Sequence, residues 1–179
     1  ELESRRAMLM REREALPQPA GTDTSVQLGW HTPQLSSPGT TVWAQVDLGA
    51  RHTIDTIALI AASGEADGKA GAGYGFPLRF RIETSEDPTF ATRDIVADLT
   101  ASDVPNPGAF PFVVHVPNRR ARYVRVTATQ AWPQREDWIV ALGEIMVLSG
   151  ERNLAAGRAV RTSVSEPSRP AWDARNLTD

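Results

Sequence analysis

The stretch that decides the fold is VWAQVDLGARHTIDTIALI, from Val42 to Ile60. In its first half, apolar residues occupy every second position, a period that is typical of a half-buried β-strand. Gly49 ends this strand, and a short polar turn at residues 50–53 leads into a second run that is apolar on both faces. The stretch therefore predicts two consecutive strands of a β-sheet.

Other segments with strand character are separated by turns rich in Pro, Gly, Asn and Ser. They are Ser25–Trp30, Leu78–Thr84, Ile95–Asp98, Phe112–Val116, Tyr123–Thr129 and Leu142–Leu148. Many short strands with turns between them predict an all-β sandwich or barrel. We expect the core to contain Val46, Leu48, Ile57, Leu59, Phe80, Ile82, Val124, Val126 and Ile145.

Four different motifs lie one after another along these strands. They are WAQVDLG (43–49) with Ile54 and Ile57 after it, LRFRIETSED (78–87), ARYVRV (121–126) and ALGEIMV (141–147). Together they resemble the discoidin, or coagulation-factor C-type, family of galactose-binding-like domains, which includes bacterial carbohydrate-binding modules. Pro88 and Phe90 stand where the family commonly has Gly and Trp. The resemblance implies a jelly-roll-type β-sandwich that binds a ligand at its loop tips and is not a catalyst.

The remaining parts of the chain suggest three units. Residues 1–20 are predicted to be a helix and linker. Strong helix formers dominate the segment, leucine recurs every seven residues, and Pro17 ends the helix. This helix is a solvated linker, or a coiled-coil or docking element. Residues 21–150 are the predicted sandwich, and residues 151–179 are interpreted as the truncated start of a second discoidin-type module. This segment pairs onto the first domain or trails in solvent, and partial disorder is favoured. We therefore interpret the chain as a piece of a larger protein.

The C-terminal interpretation rests on two further motifs. NLAAGRAV (153–160) resembles the opening of another discoidin-type domain, and WDARNLTD (172–179) resembles a turn of that family. A fragment this short is not expected to form a sandwich core by itself.

Composition excludes several classes of function. The chain has 179 residues and no cysteine, which excludes disulfides, thiolate catalysis and Cys-ligated metals. Its net charge of −3 comes from interspersed charges of both signs, so we expect no nucleic-acid partner. No apolar run approaches the length that spans a membrane.

No catalytic constellation is visible in the sequence. His31, His52 and His115 are isolated from one another, and the acidic pairs lie in predicted turns. The glycines between Gly64 and Gly75 predict a long mobile loop, a common place for ligand contacts.

The candidate binding residues are aromatic and polar side chains in three predicted loops. They are Trp30, His31, Tyr74, Trp132, Arg135 and Trp138. Aromatic faces match the apolar C–H faces of sugar rings, and His and Arg can hydrogen-bond hydroxyl groups. The alternative is that each tryptophan packs on the core.

The family resemblance also implies a structural calcium ion, with Glu144 on the closing strand as a ligand. Calcium requires about six to eight oxygen ligands, and the usual partner loop is missing from the first half of the domain.

The sequence favours a non-catalytic carbohydrate-binding module of a larger extracytoplasmic, bacterial protein, with a glycan and neighbouring domains as partners. A structural or protein-interaction spacer without sugar binding is the second hypothesis. A fragment of an enzyme whose active site lies elsewhere in the parent is the third.

Overall fold

The computed structural model of the chain describes residues 28–66, 69–164 and 170–179. The strands begin with β1 (Trp30–His31), β2 (Val42–Ile60), β3 (Ala62–Ala66), β4 (Lys69–Tyr74), β5 (Arg79–Ser85), β6 (Asp94–Leu99) and β7 (Phe112–Gln130). They continue with β8 (Trp132–Gln134), β9 (Asp137–Ile139), β10 (Ala141–Leu142), β11 (Glu144–Ser149), β12 (Arg152–Asn153) and β13 (Ala159–Thr162). Two 3₁₀ helices follow, at Pro170–Trp172 and Ala174–Thr178.

Two long antiparallel strands, β2 and β7, belong to both layers of a β-sandwich. The first half of β2 pairs with β13 and with the second half of β7, which also pairs with β5, and β6 completes this layer. The second half of β2 pairs with β11 and with the first half of β7. The predicted all-β sandwich is therefore confirmed.

The bend in β2 lies at the polar turn that the sequence predicts between two strands. The pairing with β7 shifts register between Asp47 and His52, so the chain continues as one strand through a bulge. Gly49 has a φ of +82°, a left-handed conformation that suits glycine. Its N–H donates to Oδ1 of Asp47 at 2.8 Å, which stabilises the bend.

One hydrophobic cluster fills the space between the layers. All nine predicted core residues belong to it and are at most 2% exposed, so this prediction is confirmed. Cross-strand pairs show why the alternation produces a core: Val46 lies opposite Val124 in one layer, and Ile57 lies opposite Val147 in the other.

The glycine-rich segment forms an antiparallel pair rather than a predicted long loop. β3 pairs with β4. Ala62 lies opposite Tyr74 at one end of the pair and Ala66 lies opposite Lys69 at the other, so most of the segment is hydrogen-bonded strand. Glycine and alanine give no apolar alternation, and this is why the sequence pattern does not reveal the pair. A second small pair, β8 with β9, lies between β7 and β10 in the chain.

The described residues of the C-terminal segment pack onto the sandwich. β13 pairs with β2 from Asp47 to Ala44, and Ser163 N donates to the carbonyl of Trp43 at 2.9 Å. Leu177 is fully buried and belongs to the core cluster, together with Leu154. The expectation of partial disorder is wrong for these residues because they complete the sheet and the core.

The predicted helix at residues 1–20 lies outside the described residues. Among the residues that are described, no helix has the length and hydrophobicity that crossing a bilayer requires.

Candidate functional site

A cleft of about 550 Å³ opens where the short strands β1, β4, β8 and β9 meet the first 3₁₀ helix. Its lining combines aromatic rings with neutral polar side chains. The lining residues are His31, Thr32, Pro33, Gln34, Tyr74, Gln134, Ile139 and Trp172. We call this site the Tyr74 cleft.

Tyr74 is the central aromatic residue of the cleft. Its ring centroid lies 5.7 Å from that of Trp132 and 5.7 Å from that of Trp172. Its hydroxyl oxygen accepts a hydrogen bond of 2.7 Å from Nε2 of Gln134, so the hydroxyl proton remains available for a ligand. Trp132, Trp172 and Gln134 therefore hold the side chain of Tyr74 in place, and its hydroxyl group can still donate a hydrogen bond to a ligand.

The hairpin that supplies Tyr74 approaches β10 closely through a glycine. Gly75 has a φ of +65°, and a Cβ atom there would lie 2.6 Å from Cβ of Ala141. The N–H of Ala141 donates to the carbonyl of Gly75 at 2.7 Å. Only glycine permits this approach, which brings Tyr74 to the cleft.

His31 forms a second wall. Its ring lies 4.7 Å from that of Trp172 in an edge-on arrangement with an interplanar angle of 71°. Nδ1 lies 2.5 Å from the carbonyl oxygen of Thr32, and since a carbonyl only accepts, Nδ1 carries the proton. In this tautomer, Nε2 is the hydrogen-bond acceptor of the ring.

Thr32 holds this wall to the sandwich. Its N–H donates to the carbonyl of Val140 at 2.9 Å, and its hydroxyl accepts from the N–H of Val140 at 3.1 Å. The side chain is fully buried. These two hydrogen bonds to Val140 fix the backbone next to His31.

The described lining of the cleft combines uncharged aromatic, polar and apolar side chains with one histidine. Within the described part of the chain, its lining contains no Asp, Glu, Lys or Arg. Asp173, next to Trp172 in the chain, pairs with Arg175 through two side-chain hydrogen bonds of 3.0 Å. The hydrogen bond from Arg175 lowers the pKa of Asp173, so this pair adds no net charge near the cleft.

Three of the six sequence-predicted residues lie at the cleft or against it. His31 and Tyr74 line it, and Trp132 supports Tyr74 from behind. Trp132 and Gln134 are two apart on β8, and therefore share a face and both contact Tyr74.

The other three predicted residues do not line the cleft. Trp30 is 1% exposed, because adjacent strand residues point to opposite faces and His31 takes the outward one. Trp138 is half-buried and packs against the core, on the opposite face of β9 from Ile139. Arg135 is exposed in the turn between β8 and β9, with a φ of 55°.

Sequence reasoning missed Trp172, Gln134 and Thr32 as cleft residues. Trp172 was assigned to a second module, although it lies beside His31 in space. A signal was present, since the motif at 172–179 resembles a turn that the discoidin pattern places early in a domain and that is missing from the first half of this one.

A second, acidic pocket lies between the closing strand and the C-terminal segment. It encloses about 230 Å³ and includes Glu144, Asn176 and Asp179. Burial raises the pKa of Glu144, and the negative charge of Asp179 raises it further. These oxygen donors fit a calcium ion in kind, but the described residues contain no group of three His, Cys, Asp or Glu placed to hold a metal.

Comparison with known proteins identifies the family. The F5/8 type C domain model matches residues 11–144. The chain belongs to the F5/8 type C domain family. This family is non-catalytic, so the chain is a binding module. A search of curated protein sequences finds no match to the chain.

Two solved structures are similar to this F5/8 type C domain. The family 32 CBM from C. perfringens NanJ, solved in complex with galactose, has a TM-score of 0.51 and 17% identity, covering 70% of this chain and 79% of that one. CBM32-3 from a family 31 glycoside hydrolase of Clostridium perfringens has a TM-score of 0.50 and 17% identity, covering 67% and 74%. At this identity the likenesses establish the fold.

Proposed function

We propose that this F5/8 type C domain is a carbohydrate-binding module that takes an uncharged sugar unit in the Tyr74 cleft. The observation that carries the proposal is the lining itself: aromatic rings lie beside neutral donors and acceptors, and the described lining residues include no carboxylate or guanidinium. The galactose complex of the similar family 32 CBM from NanJ supports a sugar ligand.

The polar groups of the cleft suit the hydroxyl groups of a sugar. The hydroxyl of Tyr74 donates, the amide of Gln134 has a free N–H and a carbonyl, and Nε2 of His31 accepts. A sugar ring that covers Tyr74 would bury its apolar C–H face against the aromatic ring.

The absence of charge from the described lining favours neutral sugars over uronates, sialic acids and amino sugars with a free ammonium group. A charged group placed in the cleft would lose hydration without gaining an ion-pair partner, and this raises the free energy of binding. The uncharged described lining and its aromatic and neutral polar groups therefore both favour a neutral glycan.

A glycan array tests the proposal directly. We expect binding to a set of neutral glycans and no binding to their counterparts in which the terminal sugar carries a carboxylate or ammonium group. Binding only to charged glycans would contradict the choice of cleft. No binding to any glycan would favour the spacer hypothesis, for which Trp30 offers support because it is buried in the core.

We further propose that the acidic pocket binds a calcium ion through Glu144 and Asp179. The support is electrostatic: two carboxylates share a partly buried pocket, and a cation there would neutralise them. Backbone carbonyls and water would have to supply the other ligands.

We also propose that the described residues of 150–164 and 170–179 belong to the sandwich rather than to a second module. Their support is the pairing of β13 with β2 and the burial of Leu177 in the core.

We propose an extracytoplasmic, bacterial parent protein with neighbouring domains. One of the similar modules comes from a glycoside hydrolase, and a linked binding module raises the effective concentration of an enzyme at its polysaccharide. An antibody against this domain, applied to fractionated source cells, would locate the parent, and recovery in the cytoplasm would contradict this proposal.

A further inference from the structure

The two ring walls of the Tyr74 cleft come from distant parts of the chain. His31 lies on β1, directly after Gly29 and Trp30, whereas Trp172 ends the 3₁₀ helix Pro170–Trp172. Their ring centroids are nevertheless 4.7 Å apart. Local backbone geometry does not determine a distance between two such segments, so a tertiary contact has to maintain it.

The carboxamide of Asn176 makes one such contact, beside the backbone hydrogen bond that the N–H of Leu28 donates to the carbonyl of Ala171 at 2.9 Å. Its Nδ2 donates to the carbonyl of Pro170 at 3.0 Å and to the carbonyl of Gly29 at 3.3 Å. A carboxamide has two N–H groups, so one is directed to the segment of Trp172 and the other to the segment of His31. The side chain is 7% exposed, where water competes little for these hydrogen bonds.

The backbone beneath Asn176 is itself fixed. Asp173 caps the 3₁₀ helix Ala174–Thr178 by accepting from the N–H of Arg175 at 2.8 Å. At the other end, the hydroxyl of Thr178 donates to the carbonyl of Arg158 at 2.8 Å. Leu177, between them, is fully buried. Asn176 is therefore held on a fixed backbone, from which its side chain reaches the segments that carry His31 and Trp172.

We infer that Asn176 is a positioning residue for glycan binding: together with the Leu28–Ala171 hydrogen bond it sets the separation of His31 and Trp172, and it does not line the cleft. The inference rests on the proposed function, because the ligand is the one assigned to the Tyr74 cleft. Asn176 should set the distance between His31 and Trp172 whether or not a glycan is bound.

The test compares Asn176→Ala with Thr178→Val in the complete chain. Both changes remove buried hydrogen bonds from the same 3₁₀ helix, but Thr178 contacts Arg158 and Arg175 and neither wall of the cleft. At a temperature where both variants are folded, we expect Asn176→Ala to bind the best neutral glycan of the array roughly three- to tenfold more weakly, the loss expected when one hydrogen bond to the ligand is misplaced. Thr178→Val should bind like the wild type.

A second measurement needs no glycan. The imidazole resonances of His31 in NMR spectra depend on the nearby ring of Trp172, so Asn176→Ala should shift them and Thr178→Val should not. If Asn176→Ala does not fold, Asn176→Ser serves in its place, because a hydroxyl is too short to reach both carbonyls.

The outcomes separate the two claims. If the wild type binds a glycan and both variants bind equally well, with unchanged His31 resonances, the positioning role is overturned. If the wild type binds no glycan, the proposed function fails, and the His31 resonances alone decide whether Asn176 sets the geometry of the cleft.

Discussion

Arg122 donates two hydrogen bonds to the carboxylate of Asp47, from Nε at 2.9 Å and from Nη2 at 3.0 Å. The same carboxylate accepts from the N–H of Gly49, at the bend where β2 passes from one layer to the other. The side-chain hydrogen bond from Arg122 lowers the pKa of Asp47, and the Gly49 N–H contributes to the same direction. The ion pair thus stabilises the bend that both layers share.

This pair should make part of the stability pH-dependent. Because the pKa of Asp47 is lowered on folding from its ordinary value of 3.8, the stabilisation is complete above that value and is lost as the pH falls through the lowered pKa. We expect Asp47→Asn to lower the free energy of unfolding near about pH 6 and to have a smaller effect near about pH 2. Denaturant unfolding at both pH values measures this.

Asp94→Asn is the control for that experiment, because Asp94 is more exposed and contacts Arg119 through a single hydrogen bond. It should change the stability less at either pH. An effect of Asp47→Asn that is equally large in acid would contradict the account.

Leu177→Ala tests whether the C-terminal segment belongs to the sandwich. Leu177 is fully buried in the core cluster, so its truncation should cost about 2–5 kcal/mol in the free energy of unfolding. Val113→Ala, at a position that is 46% exposed, should cost about 0.5 kcal/mol or less. Equal, small effects would show that the segment is not part of the core.

Gly75→Ala tests the close approach behind Tyr74. With a positive φ and a Cβ 2.6 Å from that of Ala141, we expect a loss of about 1–3 kcal/mol in thermal or chemical unfolding. Gly71→Ala is the matched change, since Gly71 has no positive φ and a Cβ there meets open space. If both variants are equally stable, the hairpin does not lie against β10 as described.

Calcium should act through Glu144. Because burial and Asp179 raise the pKa of Glu144 on folding, the metal-free protein loses stability as the pH rises through the ordinary value of 4.5 and above. We expect calcium to raise the melting temperature near neutral pH, by linkage worth about 2.7 kcal/mol at a hundredfold excess over Kd.

Glu144→Gln should be more stable than the wild type in the presence of chelator and should no longer respond to calcium. Glu86→Gln, which changes an exposed carboxylate paired with Arg51, should respond like the wild type. A calcium response that survives in Glu144→Gln would place the ion elsewhere.

The strands could be predicted from the sequence because alternation is a local signal. Val42 to Leu48 and Leu78 to Thr84 show it clearly, and the structure confirms both. The continuity of β2 could not be predicted, because the bulge near Gly49 depends on pairing with β7 rather than on residues 50–53 themselves.

The site was predicted less completely because its residues meet only through tertiary contacts. The sequence singles out Trp30 and His31 together. In a strand, however, neighbouring side chains point to opposite faces, and packing against the core determines that Trp30 is the buried one. Trp172 joins the cleft because Asn176 and β13 bring its segment back to the sandwich. Only the resemblance of residues 172–179 to an early turn of the family pointed to this return, because residue periodicity carries no information on such tertiary contacts.

Titration of the best neutral glycan from the array into wild type, Tyr74→Ala and Phe110→Ala shows whether the Tyr74 cleft is the glycan site. Phe110 is the control because it is an aromatic residue that is 77% exposed and does not line the cleft. We predict that Tyr74→Ala weakens binding at least about tenfold, as for a central aromatic anchor, while Phe110→Ala binds like the wild type. Unchanged affinity of a folded Tyr74→Ala, or a loss confined to Phe110→Ala, would contradict the Tyr74 cleft as the glycan site.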